Sequence, residues 1–188
     1  MTKKIIVKVQ SGMCNRLIPF ITGLRISELL ESEFFLYWDD ECRDTAYNYK
    51  GEKTFYKDMF YKIENVNYIE KNKFDMLINC CKNILKINYC ETKKMMKYSL
   101  KDLEIYDTIV FNDYVHLIHT TEDNVSILNY GNLDYLKDEE YSNKLFPYFN
   151  KLKPVEALQK LINDVENNFP EKNNLIGNVR ADTAGSAK

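Results

Sequence analysis

No stretch of this 188-residue chain supplies the roughly 18 consecutive apolar residues that a membrane-spanning helix needs. The opening Met-Thr-Lys-Lys also lacks the apolar core and small-residue cleavage site of a signal peptide. A peripheral membrane contact stays open on these grounds. The five cysteines (Cys14, Cys42, Cys80, Cys81, Cys90) contain no C-x-x-C pair, so zinc-ligand spacing is missing and a reducing cytoplasm is the expected compartment. Adjacent Cys80 and Cys81 lie in an apolar stretch and read as small buried side chains. Net charge is only −2, which gives no electrostatic footprint for nucleic acid. No Gly-x-Ser-x-Gly elbow occurs, and no cysteine has a motif partner that would make it a nucleophile. Internal repeats and low-complexity linkers are absent too.

What is present begins with a strand, a turn and a helix. Residues 4–9 (KIIVKV) form a short, apolar, β-branched run that predicts a strand. Residues 15–31 place Leu17, Phe20, Ile21, Leu24, Leu29 and Leu30 near one side of a helical period. Between them lies Ser11-Gly12-Met13-Cys14-Asn15-Arg16-Leu17, with Gly12 for the turn, Asn15 able to cap the helix and Pro19 tolerated in its first turn. The helix N-terminus then faces outward from the strand's carboxyl edge, where its unpaired N–H groups can meet an anion or a sugar hydroxyl. The turn is not a dinucleotide fingerprint, because the second and third glycines are missing, and no Gly-Lys-Ser/Thr makes it a P-loop.

Residues 33–38 (EFFLYW) read as a second strand, followed by an acidic loop that starts at Asp39 and Asp40. A right-handed crossover puts this loop on the same edge as Gly12, where open parallel sheets hold their ligands. Val66–Ile69 and Ile84–Tyr89 read as short strands, and Lys93–Leu103 as a helix of imperfect apolar spacing. Tyr106–Phe111 is a clearer strand, and it delivers Asn112 and Asp113 to the carboxyl edge. Pro154 opens a further helix with Val155, Leu158, Leu161, Ile162 and Val165 on one face, and Leu175–Arg180 reads as a last strand. His116 and His119 lack a patterned carboxylate, so packing is preferred to metal binding. The alternation of strands and helices predicts an α/β protein built on a Rossmann-like parallel sheet flanked by helices.

The pattern G-x-x-N-R-L, a long helix, and a strand ending in Tyr37-Trp38 resembles the opening of the fucosyltransferase-like glycosyltransferases. That group comprises the α1,6-fucosyltransferases, the nodulation-type enzymes and the protein O-fucosyltransferases. A second likeness follows. Leu152-Lys153-Pro154, a helix, and then Ile176-Gly177-Asn178-Val179-Arg180 resembles the group's Leu-x-Pro helix and Ile-Gly-Val-His-x-Arg strand. Arg180 follows Asn15 by 165 residues, the group's order and spacing. Asn178 stands where that motif has histidine, Ala181 replaces its second basic residue, and Asp182-Thr183 reverses the usual Thr-Asp.

The resemblance implies the N-terminal, acceptor-side domain of a two-domain GT-B enzyme over residues 1–173. Residues 174–188 would begin a nucleotide-sugar-binding domain, incomplete here, or form a tail. It implies transfer of a sugar from a nucleotide-sugar donor, GDP-fucose favoured, to a glycan or other hydroxyl acceptor, with no metal and no further cofactor. Gly12, Asn15, Arg16, Asp39 and Asp113 would line the acceptor cleft. Arg180 would be the donor-phosphate arginine, a role that suits a guanidinium's bidentate pairing with phosphate oxygens. Asp39, Asp40 and Asp113 are the edge carboxylates that could serve as base. A non-catalytic α/β binding module derived from such an enzyme is the alternative, and an unrelated Rossmann-like enzyme a third reading.

Overall fold

The computed structural model describes residues 2–10, 13–39, 56–88, 96–112, 118–120, 124–127 and 146–168. Its centre is the first strand, β1 (Lys4–Val9), whose Ile5, Ile6 and Val7 are fully buried. A strand apolar on both faces has to be covered on both, and this one is. β2 (Glu33–Trp38) pairs parallel to it with Ile5 opposite Phe34 and Val9 opposite Trp38. On the other side β6 (Thr108–Asn112) runs parallel with Ile5 opposite Ile109 and Val7 opposite Phe111. β3 (Val66–Ile69) extends the sheet beyond β2, and β4 (Ile84–Asn88) beyond β6, to give the order β3-β2-β1-β6-β4, all parallel.

Helices cover both faces. α1 (Met13–Leu29) lays Phe20, Leu24 and Ile26 against Ile5, Val7, Phe34 and Leu36. α2 (Lys71–Cys80) brings Phe74, Leu77 and Ile78 to Ile6, Phe35, Tyr37 and Val110 on the opposite face. This is a parallel β-sheet flanked by helices, the generic Rossmann-like α/β arrangement. Gly23 sets how close α1 lies. A Cβ there would overlap Val7 Cγ2 and stand 3.1 Å from Phe34 Cε2, so the helix reaches the sheet only without a side chain at this position.

α1 begins at Met13, two residues before the expected start, so Asn15 is its third helical residue and not its cap. Pro19 accordingly sits in the helix interior, where the missing N–H leaves one turn of the ladder unclosed. The helix ends in a Schellman motif: Ser32 N–H donates to the Ser27 carbonyl (2.9 Å) and Glu31 N–H to that of Glu28 (3.2 Å). Glu31 takes the left-handed position of that motif (φ 46°), which glycine occupies more cheaply.

The expected helix over Lys93–Leu103 is corrected. β5 (Met96–Ser99) belongs to a small antiparallel sheet with β8 (Asn124–Ile127) and β7 (Ile118–Thr120), which carries His119. Only then does α3 (Leu100–Glu104) start, and a capping box explains where: Asp102 N–H donates to Ser99 Oγ (3.1 Å) and Ser99 N–H to Asp102 Oδ2 (2.9 Å). Those hydrogen bonds to the ionised carboxylate hold the Asp102 pKa below its ordinary value. At the other end of α3, the Lys3 ammonium donates to the carbonyls of Leu103 (3.1 Å), Glu104 (2.8 Å) and Tyr106 (2.6 Å).

Two further expectations change, those for Pro154 and for the cysteines. Pro154 does not open the last helix but pairs in a bridge with Phe60, and α4 (Glu156–Asn168) follows it. The predicted apolar face of α4 is not buried: Leu161 is 59% and Val165 47% exposed. Of the cysteines expected to be buried, Cys80 is exposed, while Cys81 is half-buried with its sulfur 3.1 Å from Thr108 Oγ1. Leu175–Arg180 and His116 lie outside the described residues.

Candidate functional site at the carboxyl edge of the sheet

Strand order fixes where a ligand would sit. From β1 the chain crosses through α1 to β2 on one side, while β6 occupies the other side and is reached only later. The crevice outside the carboxyl ends of β1 and β6 is therefore the topological switch point. Gln10 follows the end of β1, Trp38 ends β2 with Asp39 next in the chain, Asn112 ends β6, and α1 starts above them.

Arg16, the fourth residue of α1, is 2% exposed. Its Nη1 donates to the Asp39 carbonyl, and its guanidinium carbon lies 5.0 Å from the centre of the Trp38 ring. Asp39 is itself buried; its N–H donates to the Val9 carbonyl (2.9 Å), continuing the β1–β2 ladder. The Asp39 carboxylate takes the Lys8 ammonium at 3.6 Å, and Lys8 also lies 5.9 Å from the Tyr37 ring centre. The arrangement ties the first turn of α1 to the end of β2 through a desolvated cation on an aromatic face.

Behind Trp38 stands an aromatic cluster centred on Tyr56. Its ring centre lies 5.4 Å from that of Trp38, 5.7 Å from Phe20, 5.6 Å from Phe60 and 4.9 Å from Tyr68. The Tyr56 hydroxyl donates to the Tyr61 carbonyl (3.1 Å), and the Tyr68 hydroxyl accepts from Ile63 N–H (2.9 Å). Burial pushes both phenol pKa values up, Tyr56 the further. Both hydroxyls stay protonated and act as packing groups with polar tips.

Of the expected site residues, Arg16 and Asp39 are brought together, each buried and engaged with the other's surroundings. Asn15 lies in the first turn of α1 at the same edge. Gly12, Asp40, Asp113 and Arg180 lie outside the described residues. Sequence reading passes over Lys8 and Gln10. Lys8 carries a signal, being a lone cation inside a strand otherwise apolar from Ile5 to Val9. Gln10 is 5% exposed, and its Oε1 has no hydrogen-bond donor among the described residues. Its burial depends on neighbours from distant segments, which periodicity cannot show.

A cavity of about 630 Å³ opens at the opposite, amino edge, floored by Leu24 and Phe34 and rimmed by Glu28, Glu31, Lys62 and Lys153. Three negative residues (Glu28, Glu31, Glu64) and three positive ones (Lys62, Lys151, Lys153) line it in balance. Among the described residues no group of three or more His, Cys, Asp or Glu side chains could hold a metal ion. No described helix is long and apolar enough to cross a membrane. Comparison with known proteins finds no matching family model, no matching curated protein and no matching solved structure.

Proposed function

We propose that residues 1–173 form the acceptor-side domain of a nucleotide-sugar-dependent glycosyltransferase of the fucosyltransferase-like group. One observation carries the reading. Helix α1, from Met13, links two adjacent parallel strands, so it starts at the carboxyl edge beside Trp38 and Asp39. In this reading Asn15 and the start of α1 meet the acceptor, while Arg16 and Asp39 hold that start in place. Arg180 and residues 174–188 belong to the donor side, and GDP-fucose is the favoured donor. The free thiols of Cys80 and Cys81 suit a reducing cytoplasm.

A second reading, a non-catalytic binding module of the same descent, draws support from a specific feature. The Asp39 carboxylate is 6% exposed and already paired with Lys8, so it offers a weak case as a base. Calorimetry and Trp38 fluorescence with chitotetraose and with GDP-fucose test the proposal. The expected result is millimolar binding of the oligosaccharide with a change in Trp38 emission, and no measurable binding of the nucleotide sugar. An isolated acceptor domain has too few donor contacts to offset the cost of immobilising the nucleotide. Micromolar GDP-fucose binding, or no response to the oligosaccharide, overturns it.

A further inference from the structure

We infer that the cavity at the amino edge binds a small zwitterion with an apolar body, either an amino acid with an apolar side chain or a short peptide of such residues. At about 630 Å³ the cavity falls within the range of small-ligand sites, about 300–1,000 Å³. Its walls come from three parts of the chain: the second half of α1 with the start of β2, residues 61–65, and residues 151–153. These walls are tied to one another. Tyr61 N–H donates to the Lys153 carbonyl (2.9 Å), and Lys151 meets Glu28 Oε1 at 2.6 Å, so the cavity is formed before a ligand arrives. It lies at the opposite edge from the switch point, and the inference does not rest on glycosyl transfer.

The backbone singles out the same place. Glu31 (φ 46°) and Asn65 (φ 62°) are the only described residues other than glycine with positive φ, and both line this cavity. Asparagine tolerates the left-handed conformation through its short polar side chain, whereas glutamate does not. Glu31 fills the position of the Schellman motif that glycine usually takes. Its carboxylate makes no ion pair and no hydrogen bond with the described residues. A strained glutamate whose side chain does nothing for the fold, standing at a cavity, points to a ligand.

The charges choose which ligand. Glu28 is already neutralised by Lys151, and its Oε2 accepts from the Tyr148 hydroxyl (2.7 Å). Glu31 and Glu64 then stand against Lys62 and Lys153, and Lys62 lies over the Tyr68 ring at 5.7 Å. A purely cationic ligand would meet the lysines and a purely anionic one the carboxylates, so like charges oppose either. A zwitterion suits both signs. Its ammonium donates to the Glu31 carboxylate, and its carboxylate accepts from the Lys153 ammonium. Its apolar body meets the floor of Leu24 and Phe34, to which the 55% exposed Tyr61 adds an aromatic side chain.

The probes are L-phenylalanine and the dipeptide Leu-Phe, which separate a free amino acid from a peptide. The amide and the N-acetyl derivative of whichever binds each lack one charge. Calorimetry gives the affinities, and two-dimensional NMR locates binding at the backbone amides of Glu31, Ser32, Glu64 and Asn65. At least one zwitterion should bind at millimolar concentration, and its two singly charged forms about threefold or more weakly. In Glu31→Gly the zwitterion should bind about threefold or more weakly, while the variant melts about 2–4 °C higher than the parent because glycine relieves the strain. Lys153→Gln should weaken the zwitterion by a similar factor and leave the amide, which has no carboxylate, unchanged. A lower melting temperature in Glu31→Gly would show that the carboxylate serves the fold, and overturns the inference. So do an absence of binding by either zwitterion, equal binding of the singly charged forms, shifts confined to other amides, or unweakened binding in either variant.

Discussion

The Arg16 guanidinium lies over Trp38, its carbon 5.0 Å from the centre of the indole, in a place where water hardly reaches the cation. A desolvated contact of this kind contributes about 2 kcal/mol, and a hydrogen bond from a charged donor to a carbonyl about 1.5–3 kcal/mol. The pair joins the helix that follows β1 to the residue that ends β2, so it fixes the shape of the edge where a ligand would bind.

Arg16→Met should therefore destabilise the chain by about 2–4 kcal/mol and move the emission of Trp38, the single tryptophan. Arg16→Lys keeps the charge but loses the planar stack and the fork, and should recover less than half of that loss. Urea unfolding followed by Trp38 fluorescence measures both. Parent-like stability in Arg16→Met would mean that the clamp contributes nothing.

Much of the architecture is legible in the sequence because central parallel strands are apolar on both faces. Lys4–Val9 and Glu33–Trp38 read as near-continuous hydrophobic runs, and the structure pairs them as expected. The region before β6 is harder. α3 is only five residues long, too short for a helical period to show, and its start is set by the Ser99–Asp102 box instead of by apolar spacing. In α4 the apolar spacing is visible, but a pattern tells which side of a helix could be covered, not what covers it. The edge residues Arg16 and Asp39 were legible from position alone. Their contact depends on the register that sets Val9 opposite Trp38, and the burial of Gln10 depends on the finished tertiary structure.

Gly23 offers a separate test of how tightly α1 sits on the sheet. Alanine is the better helix former by about 1 kcal/mol, yet its methyl group would enter the space of Val7 Cγ2. Overpacking of this kind costs about 1–3 kcal/mol, so Gly23→Ala should be net destabilising, by up to about 2 kcal/mol. Adding Val7→Ala removes the opposing methyl groups. In a double-mutant cycle the two changes should show a favourable coupling of about 1 kcal/mol or more. Additive losses would show that the helix can shift away without cost.

At alkaline pH the contact between Tyr148 and Glu28 should become a liability. The Tyr148 hydroxyl donates to Glu28 Oε2 at 2.7 Å, and Lys151 holds Oε1 of the same carboxylate at 2.6 Å. Partial burial is the main cause that raises the Tyr148 pKa to about 12, and the hydrogen bond to the Glu28 carboxylate adds to it. The ordinary value, 10.0, applies once the chain unfolds. Between these limits the folded chain binds this proton more tightly than the unfolded chain does, so stability falls as pH rises through the interval. Below pH 10 the contribution is fully present; above about 12 it is gone. Tyr68 and Tyr56 act in the same direction, while burial lowers the Lys3 pKa and acts in the other. Those groups are common to the parent and to Tyr148→Phe, so the comparison isolates one proton. The urea midpoint of the parent should drop more between pH 9 and pH 11.5 than that of Tyr148→Phe. An equal drop in the two proteins would show that Tyr148 ionises as freely in the folded chain as in water, and that its bond to Glu28 does not hold the 146–149 turn against α1.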